Sequence, residues 1–329
     1  MDHIPTVPRA DELLDRAFRK ASRIEVRRSS ARKDTQRKID STITYVEVRL
    51  DRVVRSFPSF EHLHSFYLEL FDLMFGVDRA RHSLGAVQWA HGAIHRLRPV
   101  ASKRLSAGDD PDRVRRMVYG RMASILHDIA DDLLDLDRIR RMMLAAPELD
   151  FDRPIVVICG YPNVGKSTLV RRITTAEPKV AQYPFTTKEV HLGHMELAGR
   201  RVQVMDTPGL FDRPVEEMNP IERQGIAALR HIADVAVVIM DPTETCGYRW
   251  ESQVRLLDLL RGWVDVPLIV VENKADSELF VRRLDDSIPL SALDSPGGEL
   301  EGLLSRIAEL LPPAGPHPSL AGDPAPSDR

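Results

Sequence analysis

The spacing of apolar residues changes character once along this chain, near residue 150. Before that point apolar positions recur every three or four residues, the repeat of a helix that buries one stripe. The clearest stripe is Val114, Val118, Met122, Ile125, Ile129, Leu133, Leu136 and Met143, which predicts a single long helix packed in a bundle or a coiled-coil-like pair. Residues 10–51 predict one or two long, heavily charged helices, ended by Phe57, Pro58 and Ser59 because the residue before a proline avoids helical backbone. Residues 60–75 are aromatic-rich and amphipathic, and 79–105 read as another helix. Gly108 to Pro111 supplies a turn, with Asp110 as N-cap ahead of Pro111 at the first helical position. Asp128, Asp131, Asp132, Asp135 and Asp137 read as a solvated face, Phe66 and Trp89 as core, and His91 and His95 as packing or surface residues.

Beyond Pro147 to Pro154 the pattern shortens. Ile155 to Cys159 is an all-apolar run, as expected of a strand buried on both faces, and similar runs follow at 235–240 and 268–271. Residues 190–197 and 201–205 alternate as half-buried strands do, and a short strand is expected at 288–290. Helical patterns fall at 168–174, 220–232, 252–260 and 300–311. Strands alternating with helices predict an α/β domain, a mostly parallel sheet with helices on both faces. The expected organisation is therefore an all-α helical bundle over 1–150, an α/β domain over 151–311, and a disordered Pro/Gly/Ser-rich tail over 312–329.

The first predicted strand runs directly into Gly160-Tyr161-Pro162-Asn163-Val164-Gly165-Lys166-Ser167, a complete G-x-x-x-x-G-K-[ST] phosphate loop followed by a helix that opens at Thr168. The chemistry needs each part. Phosphate oxygens must be met by several backbone N–H groups at once, so the loop curls tightly, and the helix N-terminus adds partial positive charge. Lys166 supplies a point charge for the β- and γ-phosphates, and Ser167 a hydroxyl for Mg²⁺.

Three later segments predict that the nucleotide is GTP and that this is a P-loop GTPase. Asp206-Thr207-Pro208-Gly209 ends a strand, so that Asp206 can hold Mg²⁺ and the Gly209 N–H can sense the γ-phosphate. Asn273-Lys274-Ala275-Asp276 follows another buried strand. Asp276 there can accept from the guanine N1–H and exocyclic amine, a donor pair adenine lacks. Asn273 braces that loop and Lys274 lies over the base plane. Ser291-Ala292-Leu293 places a backbone N–H for the guanine O6.

Residues 183–188 should form one switch, with Thr187, or Thr186 as second choice, on Mg²⁺; residues 210–219 should form the other. Lys166, Thr187 and Gly209 are the expected catalytic set. Leu210 stands where many GTPases carry a water-orienting glutamine, so hydrolysis needs another group, and Asn163 is a possible holder of K⁺ beside the phosphates.

Composition adds limits. The chain has 329 residues and a formal net charge of −3, too small to name a partner. Residues 9–38, however, hold eleven Lys/Arg against five Asp/Glu, and Arg16, Arg19, Lys20, Arg23, Arg27, Arg28, Arg32, Lys33, Arg37 and Lys38 can meet phosphates along an RNA groove. Two cysteines, Cys159 and Cys246, make no disulfide framework, and no apolar run approaches the ~20 residues of a membrane helix. A cytoplasmic protein without a membrane partner is the expectation.

With these motifs placed, the sequence resembles the nucleolar GTP-binding protein (Nog) family of the Obg-like GTPases. The resemblance is carried by Gly160 to Lys166, Tyr183 to Lys188, Val190 to Met195, Asp206 to Gly209, Ala227 to His231, and Met240-Asp241 with Cys246-Gly247. In the helical half it is carried by Phe57-Pro58, His64 to Tyr67, Leu84-Gly85 and Tyr119 to Met122. It implies a GTP-hydrolysing switch that assists assembly of the large ribosomal subunit, with the precursor particle and ribosomal RNA as partners and RNA contacts made by the helical half. The long basic C-terminal extension of eukaryotic members has no counterpart in this sequence, giving the expectation of a short form in a cell without a nucleolus. Rival readings are a membrane-associated GTPase with a helical stalk, a tRNA-modification GTPase, and a GTP-gated scaffold with negligible hydrolysis.

Overall fold

Helices in the first half form where the apolar stripes and their caps place them. In the computed structural model, which describes residues 4–24, 30–175, 179–182, 189–207, 228–263, 265–294 and 298–313, they are α1 (Ala10–Ser22), α2 (Ala31–Ser56), α3 (Ser65–Phe75), α4 (Val77–His95), α5 (Leu97–Ala107), α6 (Pro111–Asp128) and α7 (Ala130–Ala145). The Ser30 hydroxyl accepts from the Lys33 N–H at the start of α2, and Asp110 Oδ2 accepts from the Arg113 N–H at 3.0 Å ahead of Pro111, as the sequence predicts. Gly108, at φ +98°, closes α5 in the left-handed region.

The helical stretches are more broken than their periodicity suggests. The 79–105 stretch divides at Arg96, because Pro99 has no N–H to return to the preceding turn and its ring clashes there. The 114–143 stripe divides at Ile129, whose ψ of +15° leaves the helix; neither Pro nor Gly marks the site, and Ile129 is buried all the same. The 60–75 stretch is a 3₁₀ turn at Phe60–His62 followed by α3, with His64 Nδ1 accepting the Phe66 N–H at the helix start.

The chain folds as two compact units, Met1–Leu63 with Phe75–Leu144, and His64–Met74 with Ala145–Arg329. In the first, α2 packs against α1, α4, α5 and α6, burying Leu13, Ile39, Ile43, Val87, Ile94 and Met122. Two side chains depart from expectation there. Trp89 is 51% exposed rather than core. Asp135 is buried rather than solvated, held by Arg79 and Arg138.

The second unit is built on a seven-stranded sheet in the order β2-β3-β4-β1-β5-β6-β7. The strands are β1 (Ile155–Cys159), β2 (Lys179–Gln182), β3 (Glu189–Leu197), β4 (Arg200–Asp206), β5 (Val235–Met240), β6 (Leu268–Glu272) and β7 (Ile288–Pro289). Pairs β1/β4, β1/β5, β5/β6 and β6/β7 are parallel, and β2/β3 and β3/β4 antiparallel. β1 lies at the centre with every residue buried, which is why it reads as an unbroken apolar run. Among the described residues its helices, besides α3, are α8 (Lys166–Ile173), α9 (Trp250–Trp263) and α10 (Glu299–Leu310). The short β2 has no counterpart among the sequence expectations. Of the expected helix over 220–232, the stretch to residue 227 lies outside the described residues, and Ala228–His231 is 3₁₀.

A chain boundary at residue 150 follows sequence order, but His64–Met74 packs with the sheet. Phe66, Tyr67 and Leu70 are buried in its core, each worth about 1.5–3 kcal/mol of transfer free energy. The Tyr67 hydroxyl donates to the Pro147 carbonyl at 2.6 Å, the His64 ring stacks on Phe151 at 3.6 Å, and Glu69 pairs with Arg230 and His231. Buried Gln203 on β4 takes both backbone groups of Asp150 through its amide, hooking the start of the α/β segment to the sheet.

Candidate functional site

Parallel strands leave their carboxyl ends on one edge of the sheet, and the loops that follow β1, β5, β6 and β7 meet there beside the end of β4. The loop after β1 is tight because two glycines make it so. A Cβ on Gly160 would sit 2.4 Å from the Ile239 carbonyl oxygen, and one on Gly165 would sit 2.1 Å from Asn273 Nδ2. Both adopt positive φ, +142° and +105°, as does Asn163 at +61°. Lys166 is buried, and its ammonium donates to the Gly160 and Tyr161 carbonyls at 2.9 and 2.8 Å, clipping the charge to the loop. Tyr161 and Val164 are packed inside, while Asn163 is exposed at the loop tip.

Ser167 and Asp206 meet, the hydroxyl donating to Asp206 Oδ2 at 2.9 Å. Asp206 is fully buried, and among the described residues its Oδ1 has no hydrogen-bond partner. Burial pushes its carboxyl above the ordinary value, against the opposing pull of Lys166, Ser167 and His191. A buried carboxylate with an unspent oxygen beside a hydroxyl is an oxygen donor set that suits Mg²⁺. His191, paired in register with Asp206 across β3 and β4, brings Nδ1 to 3.6 Å of Oδ2. The adjacent Thr207 hydroxyl is spent on the Ile158 carbonyl at 2.8 Å, so it holds β1 and β4 together.

The base-side segments are joined to the phosphate loop by one side chain. Asn273 Nδ2 donates to the Val164 carbonyl at 2.7 Å, and its Oδ1 accepts from the Ala292 N–H at 2.8 Å. This is the bracing expected of Asn273. Arg172 on α8 donates to the Ser291 and Ala292 carbonyls, fixing the same loop from beneath. Ser291 and Ala292 are buried and Leu293 is 78% exposed. Asp276 is exposed. Lys274, at φ +64°, directs its ammonium to Asp241 Oδ2 and Thr245 Oγ1, each at 2.7 Å. Thr168 opens α8 beside Ser167 and is half-buried; Pro162 is half-buried in the phosphate loop.

The structure thus brings together Gly160 to Thr168, Asp206, Thr207, Asn273, Lys274 and the 291–293 loop. Thr186, Thr187, Pro208, Gly209 and Leu210 lie outside the described residues. Sequence reasoning missed the contributions of Asp241, Thr245, Gln253 and Arg172: Gln253 bonds to the loop that leads into its own helix, while Asp241 and Thr245 meet Lys274, and Arg172 meets the 291–292 carbonyls, only through the fold. Only Asp241 had drawn notice, as part of a resemblance and without a role. Cys159 packs below the loop, and burial pushes its thiol up to about 12, consistent with a core residue. Of the two helical histidines, His95 pairs with Glu47 at 2.8 Å. Among the described residues no helix is long and apolar enough to cross a membrane.

Two families match successive parts of the chain: one described as the NOG1 N-terminal helical domain over residues 1–150, the other as a 50S ribosome-binding GTPase over 155–274. An uncharacterized protein of Methanocaldococcus jannaschii is 34% identical over 284 residues, covering 83% of this chain and 80% of that one. Nucleolar GTP-binding protein 1 of Eremothecium gossypii is 33% identical over 311 residues, covering 90% of this chain and 48% of that protein. Its namesake in Arabidopsis thaliana is 35% identical over 244 residues, covering 73% and 36%. The chain spans less than half the length of those two eukaryotic relatives. Their names overturn the expected cytoplasmic placement, which rested on cysteine usage, the want of apolar spans and the missing basic extension, because they point to the nucleolus.

Proposed function

The chain belongs to the nucleolar GTP-binding protein (Nog) family and carries a GTPase domain, and we propose that it is a GTP-driven switch acting in assembly of the large ribosomal subunit. The observation that carries the nucleotide reading is the Asn273 side chain, which binds the phosphate loop at Val164 and the 291–293 loop at Ala292. That link makes one rigid receptor of the parts that would hold the two ends of a guanine nucleotide. The backbone amides of Gly160 to Thr168 and the Lys166 ammonium bind the phosphates. Asp276 reads the guanine N1–H and amine, with Lys274 along the base plane and Ala292 and Leu293 beside the O6. Ser167 and Asp206, with Thr187 from the first switch, would hold Mg²⁺, which when bound neutralises developing charge on the β- and γ-phosphates. The Gly209 N–H reports the γ-phosphate to the second switch.

Leu210 cannot orient water, so turnover depends on another group. Asn163, exposed at the loop tip with a left-handed backbone, is the residue that would hold K⁺ in that role. Turnover should then be several-fold faster in KCl than in NaCl, and equal rates would remove the ion from the mechanism.

The partner reading rests on family membership and on the basic segment. Arg16, Arg19, Lys20, Arg23, Arg32, Lys33 and Arg37 are exposed on or beside α1 and α2, and Arg16, Arg19 and Arg37 are only partly offset by Glu12, Asp15 and Asp34. Such a surface suits RNA phosphates, with affinity that falls steeply as salt rises. The test is sucrose-gradient sedimentation of tagged protein with GTP, GDP or a non-hydrolysable GTP analogue. Nucleotide-dependent migration with large-subunit precursors is expected. Migration at the top of the gradient under all three conditions would refute the ribosomal role.

A further inference from the structure

The loop that leaves β5, Asp241 to Arg249, touches both ends of the proposed nucleotide site. Asp241 is fully buried, an expensive position for a carboxylate unless its oxygens are saturated. They are. Oδ1 accepts from the Thr243 N–H at 3.0 Å and from the Thr243 hydroxyl. Oδ2 accepts from the Cys246 N–H at 2.8 Å, the Thr245 hydroxyl at 3.2 Å and the Lys274 ammonium at 2.7 Å. Burial pushes the Asp241 carboxyl up, but the bonds from Lys274, Thr243 and Cys246 outweigh it and hold it below the ordinary value, so it is ionised at neutral pH.

Gln253 on α9 fixes the main chain at the same point. Its Oε1 accepts from the Asp241 N–H at 2.7 Å, and its Nε2 donates to the Asp241 carbonyl at 2.9 Å and the Tyr248 carbonyl at 3.1 Å. The Tyr248 ring then stacks on Tyr161 of the phosphate loop, centroids 4.2 Å apart and planes 17° from parallel. One loop therefore clamps Lys274 on the base side and Tyr161 on the phosphate side.

A lysine side chain is costly to order because it has many rotamers, and a partner that orders it before binding removes that cost from the affinity. We propose that Asp241 is a positioning residue for guanine-nucleotide binding: with Thr245, it pre-orders Lys274 so that the lysine stem is already in place for the base. This deepens the reading of Asn273 to Asp276 as the base loop and rests on it. Asp241 touches no part of the nucleotide and acts through Lys274. Because it acts on the base side, it affects GDP and GTP alike.

The test is equilibrium binding of fluorescent GDP and of a fluorescent non-hydrolysable GTP analogue to the full chain, for wild type, Asp241→Asn, Lys274→Ala and the double variant. Immobilising one rotamer-rich side chain corresponds to an affinity change of about three- to ten-fold, so Asp241→Asn should weaken both nucleotides by that factor. The loss should vanish in the Lys274→Ala background, which a merely structural role for Asp241 would not produce. Thr245→Val, at an exposed position, should give a smaller loss of about two-fold with the same dependence on Lys274, and serves if Asp241→Asn fails to fold. Losses that multiply across the two sites, or an Asp241→Asn affinity equal to wild type while Lys274→Ala is impaired, would overturn the proposal alone. Unchanged affinity in Lys274→Ala would overturn the base-loop reading and the proposal with it.

Discussion

Replacing Gly165 by alanine tests the central joint of the site. The added methyl would fall 2.1 Å from Asn273 Nδ2 and 3.3 Å from Asn273 Cγ, so the amide must move. Moving it breaks the bond to the Val164 carbonyl, the bond from the Ala292 N–H, or both, in a place where Asn273 is buried. Each buried polar group left without a partner costs about 1–3 kcal/mol. The backbone adds to this, since φ of +105° in a residue with a Cβ costs about 1–3 kcal/mol. The smallest combination is about 2 kcal/mol, equivalent to roughly thirty-fold in GDP affinity or about 4–8 °C in melting temperature for a domain of this size. Calorimetric titration with GDP and thermal melting of the nucleotide-free protein together capture the whole cost, however it divides. A variant that binds GDP within about two-fold of wild type and also melts within about 1 °C of it would show that the phosphate loop and the base loop are not locked through Asn273.

Gly302 makes a matched control: it lies exposed within α10 with open space where a Cβ would go, so Gly302→Ala should raise stability by about 0.5–1 kcal/mol in denaturant unfolding. Burial pushes the Tyr67 phenol from 10.0 to about 12, so the stability it contributes is complete below pH 10 and lost as pH rises through 12, about 3 kcal/mol in all. Tyr67→Phe should therefore unfold less steeply with alkali than wild type while losing about 1 kcal/mol near pH 7. Chelating divalent cations should lower GTP turnover by at least about a hundred-fold, and Asp206→Asn should be slow and nearly indifferent to added Mg²⁺.

The amino-acid sequence by itself determined the change from helices to alternating strands and helices, the phosphate loop, and the segments around Asp206, Asn273 and Ser291. These are local signals: burial on both faces gives β1 its apolar run, and a loop wrapped on phosphate needs glycines and a lysine at fixed spacing. Tertiary structure decided what depends on distant partners. Nothing local says that the 64–74 segment, amphipathic like its neighbours, packs with the sheet, because that choice is made by Phe151, Pro147, Arg230 and His231. The helix break at Ile129 carries no Pro or Gly to announce it, and Asp135 is buried only because Arg79 and Arg138 close on it. The role of Asp241 became visible only when folding brought Lys274, 33 residues away, onto its carboxylate, since a charge is worth burying only where its counter-charge arrives.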